Sequence, residues 1–286
     1  MPSLLNSNII CKQKEIFLKV NLCQFSVGHK SINQAIKKLK NTIERHALKY
    51  EVILLPELWI SGLSKEKIFQ FALEKEKILE QLKLISQKYC VNIVTTLPIF
   101  STTNKDKLVN KLMFISHKDD RLINYEKIHL FPLTHENKYF IPGSTLSLLN
   151  FGMVKIGFAI CYDIRFPELF RQYALNGADI IFVTSCFPKP RLIHWQTLLR
   201  SRAIENQIFI VAVNAVGEDQ IDGENIFYFG HSMVINPMGD ILLELDENET
   251  SKSLKINLTE TQKSREKINY SQDLRSNYHN IKIFEY

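Results

Sequence analysis

The segment that most constrains the fold of this chain is residues 152–171, GMVKIGFAICYDIRFPELFR. An apolar run from Val154 to Ile160 ends abruptly at Cys161, and Pro167 opens an amphipathic segment. This pattern predicts a buried strand, a sharp turn and a helix, with one thiol at the turn. Backbone N–H groups and a helix N-terminus beside such a thiol favour the thiolate and can stabilise an oxyanion. Cys161 is therefore a candidate nucleophile, although most cysteines outside disulfides are simply small buried apolar residues.

The rest of the chain combines alternating strands and helices with hairpins. Short apolar runs predict strands at residues 16–24, 51–57, 91–99, 179–185 and 207–217. Apolar residues at helical spacing predict helices at residues 31–48, 64–89, 167–178 and 194–207. Hairpins are predicted within residues 111–127 and 145–160 and beyond residue 230. Several strands are apolar throughout, which indicates sheets covered on both faces. We therefore expect a layered α/β structure, a pair of mixed sheets covered by helices.

Neither a repeat nor a linker divides the chain, so we predict a single domain over residues 1–286, with residues 1–14 as a loose extension. The five cysteines show no close pairing and no CxxC spacing, as is typical of proteins in a reducing cytosol. The sequence predicts neither a membrane span nor a secretory signal. The net charge of +6 comes from lysines mixed with glutamates rather than from a basic block. We accordingly predict a cytoplasmic protein that binds no nucleic acid.

Three charged residues lie where strands or loops end, as Cys161 does. Glu57 closes the apolar run VILLPE, Lys127 follows INYE, and Glu136 lies in the long polar loop of residues 128–143. A thiol nucleophile needs a base within hydrogen-bond reach, and a tetrahedral intermediate needs a cation or N–H donors at its oxyanion. Cysteine, glutamate and lysine supply those functions without a metal. Histidine is the commoner partner of a nucleophilic cysteine, and spacing alone does not choose between the two.

Three motifs of this sequence resemble the nitrilase superfamily, the carbon–nitrogen hydrolases, and they occur in the order typical of that family. They are LLPELWISG around Glu57, YEKIHLFP around Lys127 and GFAICYDIRFPELFR around Cys161. The resemblance covers roughly residues 16–260. It implies a four-layer α-β-β-α sandwich and a homodimer that extends the sandwich across two chains. The aromatic tail, residues 264–286, is then expected to pack at the dimer interface.

The same resemblance implies a function for each residue of the motifs. Cys161 is implied as the nucleophile and Glu57 as the general base. Lys127 and the backbone N–H of Tyr162 are implied to hold the oxyanion, and Glu136 to orient Lys127 and to contact the substrate. The resemblance implies no cofactor and no metal, and it makes the substrate a small amide.

The branch of the superfamily is indicated by the residues that follow Cys161. Tyr162 and Asp163 stand where nitrilases proper usually carry Trp-Glu, and Ile164 replaces the first of two arginines typical of N-carbamoyl amidohydrolases. What remains resembles the ω-amidases, which release ammonia from the terminal amide of short ω-amido acids such as 2-oxoglutaramate. Arg191 is then a candidate clamp for the substrate carboxylate, because a guanidinium binds a carboxylate bidentately. Tyr162 is also expected to contact the substrate.

Other residues near these motifs receive supporting assignments. Trp59 and Phe187 are candidate substrate-binding residues, although a tryptophan such as Trp59 is more often part of a core. Asp163, Arg165 and Glu168 are expected to form a buried ionic network that supports the turn at the nucleophile.

Two alternatives to an ω-amidase stay open. The chain could act on an N-carbamoyl compound, a nitrile or another amide, because a pocket that differs by one methylene changes preference by only ~1–3 kcal/mol. It could also be a non-catalytic binding module on the same fold. The presence of Glu57, Lys127 and Cys161 together favours an enzyme.

Overall fold

The computed structural model describes residues 15–46, 52–119, 122–221 and 223–275. The predicted N-terminal extension, residues 1–14, lies outside the described residues, as do residues 276–286 of the predicted interface tail. The helices in the described ranges all lack the combination of length and apolar composition needed to cross a bilayer.

Two six-stranded mixed sheets form the middle of the structure, and a separate two-stranded hairpin lies beside them. The strands are β1 (Phe17–Gln24), β2 (Val52–Leu54), β3 (Asn92–Phe100), β4 (Leu108–Ile115), β5 (Leu122–Glu126), β6 (Leu148–Phe151), β7 (Val154–Ile160), β8 (Ile180–Ser185), β9 (Phe209–Asn214), β10 (Val216–Ile221), β11 (Glu224–Phe229), β12 (Met233–Ile235), β13 (Ile241–Glu244) and β14 (Thr250–Asn257). The first sheet has the order β14-β1-β2-β3-β4-β5, and the second has the order β13-β12-β9-β8-β7-β6. Strands β10 and β11 form the hairpin.

Helices cover the outer face of each sheet. They are α1 (Ile32–His46), α2 (Lys65–Leu73), α3 (Lys75–Tyr89), α4 (Pro167–Leu175) and α5 (Leu192–Asn206), and two further helices, α6 (Thr259–Lys267) and α7 (Tyr270–Asp273), follow β14. Apolar residues of α1, α2 and α3 share one core with the outward-facing residues of the first sheet, among them Ile53 and Ile93. Inward-facing residues of both sheets, such as Val20 and Phe158, share a second core with α4 and α5. The predicted four-layer α-β-β-α sandwich is therefore confirmed.

The strand directions bring several strand ends to one edge. Strands β1, β2 and β3 are parallel, whereas β4 is antiparallel to both β3 and β5, so β5 runs in the direction of β2. In the second sheet β7, β8 and β9 are parallel to one another. The carboxyl ends of strands that run the same way meet at one edge, where α/β proteins commonly bind ligands. Glu57, Lys127 and Cys161 each follow such an end.

The structure differs from the predicted elements in two places. The predicted helix of residues 64–89 is two helices, α2 and α3, separated at Glu74. The buried residues Ile68, Phe71, Ile78 and Leu82 continue one apolar stripe across the break, so periodicity could not reveal it. The hairpin of β10 and β11 was not predicted, because β10 (VGEDQI) is mostly polar and the apolar run of β11 is only the four residues IFYF.

Candidate active site

Cys161 occupies a strained turn at the end of β7. It has φ of +44°, in the left-handed region that residues with a side chain rarely adopt. A short 3₁₀ helix, Cys161–Arg165, follows, and α4 then begins at Pro167. The predicted order of strand, turn and helix is thus present, with a 3₁₀ turn in between. Backbone strain of this kind is concentrated at functional sites.

The carboxylate of Asp163 holds this turn in place. Its Oδ2 accepts hydrogen bonds from the backbone N–H of Ile160 at 2.9 Å and from the hydroxyl of Tyr125 at 2.7 Å. Its Oδ1 contacts His129, accepting from the backbone N–H at 3.0 Å and lying 2.8 Å from Nδ1. The carboxylate is fully buried. Its contacts join Ile160, the residue before Cys161, to Tyr125 of β5 and to His129 in the loop that follows β5. Asp163 therefore fixes the nucleophile's backbone against the loop that follows β5.

The expected ionic network of Asp163, Arg165 and Glu168 is wrong for its last two members. Glu168 is exposed in the first turn of α4, where a carboxylate interacts favourably with the helix dipole. Arg165 is partly exposed and contacts His194 Nδ1 at 3.1 Å. The Tyr125 hydroxyl, the backbone N–H groups of Ile160 and His129, and the His129 ring therefore contact the buried carboxylate.

Lys127 lies between two carboxylates in the interior of the protein. Its Nζ donates to Glu57 Oε1 at 2.7 Å and to Glu136 Oε1 at 2.8 Å. All three side chains are almost completely buried. Glu136 Oε2 in turn accepts from the backbone N–H of Phe131 at 3.0 Å. The structure thus brings together three of the four predicted catalytic residues through direct hydrogen bonds.

The charges of this cluster decide its protonation. Burial disfavours the Lys127 ammonium, but the charges of Glu136 and Glu57 outweigh it and raise the pKa of Lys127 well above its usual value. Burial raises the pKa of Glu136, and the charge of Lys127 offsets part of that rise. An ammonium has three N–H donors, of which two are engaged here. The third N–H donates to none of the described residues and is available to a negatively charged oxygen.

The thiol of Cys161 is close enough to this cluster to feel its charges. Burial raises the pKa of the Cys161 thiol, and the negative charge of Glu57 raises it further. Lys127 and the nearby hydroxyl of Ser185 lower it without reversing the rise. The free thiol is therefore protonated near neutral pH, and its attack on a substrate requires a base to accept the proton.

Cys186, which follows β8, also contacts Glu57. Its backbone N–H donates to Glu57 Oε2 at 3.1 Å, and its thiol donates to the Glu57 carbonyl oxygen at 3.0 Å. The side chain of Cys186 is buried. Burial raises the pKa of the Cys186 thiol well above its usual value, so it stays a neutral donor.

Aromatic rings and guanidinium groups lie together beside Cys161. The ring of Tyr162 lies 5.0 Å from the ring of Phe131, and the Arg191 guanidinium lies 5.7 Å from that same Phe131 ring. The Arg165 guanidinium lies 5.9 Å from the Tyr162 ring and 5.7 Å from the Phe187 ring. Three of the predicted substrate-binding residues, Tyr162, Phe187 and Arg191, are therefore linked through Phe131 and Arg165.

Trp59 does not join this group. Its side chain is fully buried in the core between the first sheet and its helices, where its ring packs near Phe25 and His29. The indole N–H donates to Thr95 Oγ1 at 2.9 Å. The prediction that Trp59 binds substrate is corrected to a packing function, because both its apolar surface and its one donor are used inside the core.

Two polar side chains of the site were missed from the sequence. Asn110 of β4 is buried, and its Nδ2 donates to Glu57 Oε1 at 2.8 Å. Tyr228 of β11 is buried with its hydroxyl unbonded to the described residues, and burial together with the negative charge of Glu57 raises the pKa of that hydroxyl. An asparagine inside the largely apolar strand LVNKLMFI was the available signal for Asn110. Tyr228 gave no such signal, because its hairpin was not predicted.

Comparison with known proteins gives a consistent result. Residues 19–266 match the sequence model of the carbon–nitrogen hydrolase family. A 2-oxoglutaramate amidase of Bacillus subtilis is 35% identical over 258 residues, which cover 90% of this chain and 97% of that protein. An omega-amidase of Escherichia coli K12 is 29% identical over 224 residues, or 78% of this chain and 84% of that protein.

A solved structure shares the fold over nearly the whole described chain. The crystal structure of a CN-hydrolase superfamily protein from Xanthomonas campestris superposes with a TM-score of 0.83 at 25% sequence identity. The match covers 91% of this chain and 98% of that one. The sandwich described above is therefore the architecture of that superfamily.

Proposed function

This chain belongs to the carbon–nitrogen hydrolase family and is an amidase, and we propose that it hydrolyses 2-oxoglutaramate through a cysteine thioester. The observation that carries the catalytic part is the buried Lys127 ammonium hydrogen-bonded to Glu57 and Glu136 beside the Cys161 thiol. It supplies a nucleophile, a base and a cation within one cluster. Those are the groups that acyl transfer from an amide requires.

The first half of the proposed reaction forms the thioester. Glu57 takes the thiol proton as Cys161 Sγ attacks the amide carbonyl carbon. The free N–H of Lys127 and the backbone N–H of Tyr162 stabilise the oxyanion that develops. The protonated Glu57 then gives its proton to the amide nitrogen, the C–N bond breaks, and ammonia leaves.

The second half hydrolyses the thioester. Glu57 is again a carboxylate and takes a proton from a water molecule. The oxygen of that water attacks the thioester carbonyl carbon. The same two donors hold the oxyanion, and the C–S bond breaks. The protonated Glu57 gives its proton to the Cys161 sulfur, and the acid is released. Glu136 takes no proton in this scheme, because its hydrogen bonds to Lys127 and to the Phe131 backbone N–H hold the ammonium in place.

The identity of the substrate is supported by the similar amidases and by the charge beside the nucleophile. One relative is named for 2-oxoglutaramate and another as an omega-amidase. Such a substrate carries a carboxylate at the end opposite its amide. Arg165 and Arg191 lie among the rings of Phe131, Tyr162 and Phe187, and a guanidinium can grip a carboxylate bidentately.

We predict that ammonia release from 2-oxoglutaramate is faster than from glutamine, a neutral aliphatic amide, a nitrile or an N-carbamoyl amino acid. The measurement is kcat/KM for each compound with intact protein and with Cys161→Ala. Arg191→Gln should raise KM for 2-oxoglutaramate while leaving the neutral amide unaffected, because only the former carries the carboxylate.

Each alternative has its own signature in this experiment. Faster release from another compound, abolished in Cys161→Ala, keeps the mechanism and rejects the substrate. Release that persists in Cys161→Ala rejects the mechanism. No release from any compound favours a binding module on this fold. An equal rise in KM for both amides in Arg191→Gln rejects the carboxylate clamp.

A homodimer is the proposed assembly, supported by exposed apolar side chains near the carboxyl end of α5. Ile204, Met238 and Ile268 are 42%, 67% and 57% exposed. They surround Ser264 and Gln207, since Ser264 Oγ lies 3.9 Å from Met238 Sδ and the Gln207 amide donates to the Ile268 carbonyl. This surface includes Ser264 and Ile268, which belong to the tail of residues 264–286 that is expected at the interface.

Light scattering should give the mass of a dimer for the intact chain and of a monomer for a Met238→Glu, Ile268→Glu variant. The two introduced glutamates would be buried unpaired at the proposed interface, and the cost of burying their charges would oppose dimer formation. Met153→Glu is the control, because Met153 is 68% exposed in the turn between β6 and β7. Deletion of residues 271–286 should also weaken the dimer. An unchanged dimer in both altered proteins would contradict this assignment.

A cytoplasmic location is proposed from the cysteines. The described ones, Cys23, Cys90, Cys161 and Cys186, are not joined in disulfides, as is usual in a reducing compartment. Cell fractionation with antibody detection tests this location.

A further inference from the structure

The carboxylate of Glu57 receives three hydrogen bonds from three different parts of the chain. Oε1 accepts from Lys127 Nζ at 2.7 Å and from Asn110 Nδ2 at 2.8 Å. Oε2 accepts from the backbone N–H of Cys186 at 3.1 Å. Each carboxylate oxygen has two lone pairs. Oε1 is therefore fully engaged, whereas Oε2 keeps one lone pair that receives no hydrogen bond from the described residues.

We propose that Asn110 is a positioning residue, which holds Glu57 so that Oε2 is the oxygen that exchanges protons with Cys161 and with the substrate. This proposal rests on the function of Glu57 as the base. By donating to Oε1 beside Lys127, the Asn110 amide prevents that oxygen from turning toward the thiol. The Cys186 N–H then sets the direction of the remaining lone pair on Oε2.

Asn110 connects the base to the cation as well. Its backbone carbonyl accepts from the backbone N–H of Lys127 at 2.9 Å, continuing the ladder between β4 and β5. One residue therefore fixes the backbone of the cation and the side chain of the base. Its Oδ1 is buried and bonded to none of the described residues. A buried amide that uses only its donor is costly in an apolar strand, and this cost is explained if the donor serves the site.

Besides the neutral amide of Asn110, several ionisable groups lie close to Glu57. Lys127 faces it from the end of β5, and Glu136 from the loop that follows. Cys161 and Cys186 face it from the ends of β7 and β8, and Tyr228 from β11. All of these groups remain when Asn110 is replaced, so a change in the pH response of the site would report the lost amide donor.

The expected effect follows from the charge of the base. A hydrogen bond donated to a carboxylate favours its charged form, and Asn110→Ala removes one such donor from Glu57. A hydrogen bond to a charged group corresponds to a shift of about one pH unit. The pH below which Cys161 stops reacting should therefore rise by about one unit in Asn110→Ala, while the rates converge at high pH.

The test measures alkylation of Cys161 by iodoacetamide as a function of pH, followed by mass spectrometry of the peptide that contains Cys161. This readout needs no substrate. Asn92→Ala is the matched control, because Asn92 is also 1% exposed in the same sheet and likewise has one unbonded side-chain atom. Asn110→Asp is a second variant of the same shape, in which a carboxylate faces Glu57. It should raise the acidic limb, the pH range in which the alkylation rate of Cys161 falls, at least as far as Asn110→Ala does. Thermal melting identifies which variants fold.

The proposal is supported if the alkylation rate of Cys161 falls at a higher pH than in the wild type in either folded Asn110 variant, and at the wild-type pH in Asn92→Ala. The proposal would be overturned if the alkylation rate fell at the wild-type pH in both folded Asn110 variants. It would also be overturned if Asn92→Ala moved that pH as far as the Asn110 variants do. A pH-independent loss of reactivity would also overturn it, because that is the result of a merely structural function. If Glu57→Gln keeps the acidic limb, Glu57 is not the base and both proposals fail. Intact protein with a normal limb but no ammonia release would reject the proposed substrate chemistry alone.

Discussion

Lys127→Met is expected to destabilise the fold by about 3–5 kcal/mol and to abolish amide hydrolysis. The substitution removes the only cation bonded to Glu57 and Glu136 among the described residues, and leaves two carboxylates buried together. Burying uncompensated charge is costly, so both side chains would have to take up protons or draw in water. A protonated Glu57 cannot act as a base, and the oxyanion loses its cation.

Urea unfolding gives the stability, and ammonia release from the best amide gives the activity. Lys111→Met is the matched control, because Lys111 also pairs with a glutamate at 2.8 Å, but at a partly exposed position. We expect its loss to cost no more than about 1 kcal/mol. A third protein, with Lys127→Met, Glu57→Gln and Glu136→Gln together, should regain much of the stability but no activity. Equal losses in Lys127→Met and Lys111→Met would contradict the picture of a buried charge cluster.

The sequence was sufficient to predict the members of this cluster but not their bonds. Glu57, Lys127 and Cys161 each follow a predicted strand, and the ends of strands meet at one edge when the strands run in the same direction. The predicted sandwich follows from the same alternation of elements. The direction of each hydrogen bond depends on contacts between residues far apart in the chain, such as Asn110 and Glu57. Periodicity contains no information about those contacts.

The corrected predictions have a common physical origin. Arg165 and Glu168 lie close to Asp163 in sequence, which suggested ion pairs, but the 3₁₀ turn and α4 direct them to the protein surface. Trp59 lies two residues from Glu57, yet the chain turns at Leu58, where φ is +43°, and the indole enters the core behind the sheet. Neighbours in sequence were assigned to one site, whereas the backbone conformation between them separates their side chains.

Asp163→Asn is expected to destabilise the protein by about 3 kcal/mol and to lower kcat/KM by about 100-fold, although the new side chain has nearly the same shape. Hydrogen bonds to a charged group contribute about 1.5–3 kcal/mol each. An asparagine keeps one acceptor oxygen and presents an NH₂ group to the remaining donors. Either the Tyr125 hydroxyl and Ile160 N–H or the two His129 nitrogens then lose their acceptor.

The loss of activity should exceed what reduced stability explains, because Ile160 directly precedes the strained Cys161. If its N–H is released, the turn can relax from φ of +44° and move the thiol away from the base. Urea unfolding and kcat/KM of the folded variant separate the two effects. Glu168→Gln is the control, because this exposed acid lies in the same motif, and its loss should cost less than about 1 kcal/mol and no activity. Full activity in folded Asp163→Asn would mean that the turn is held by β7 and α4 alone.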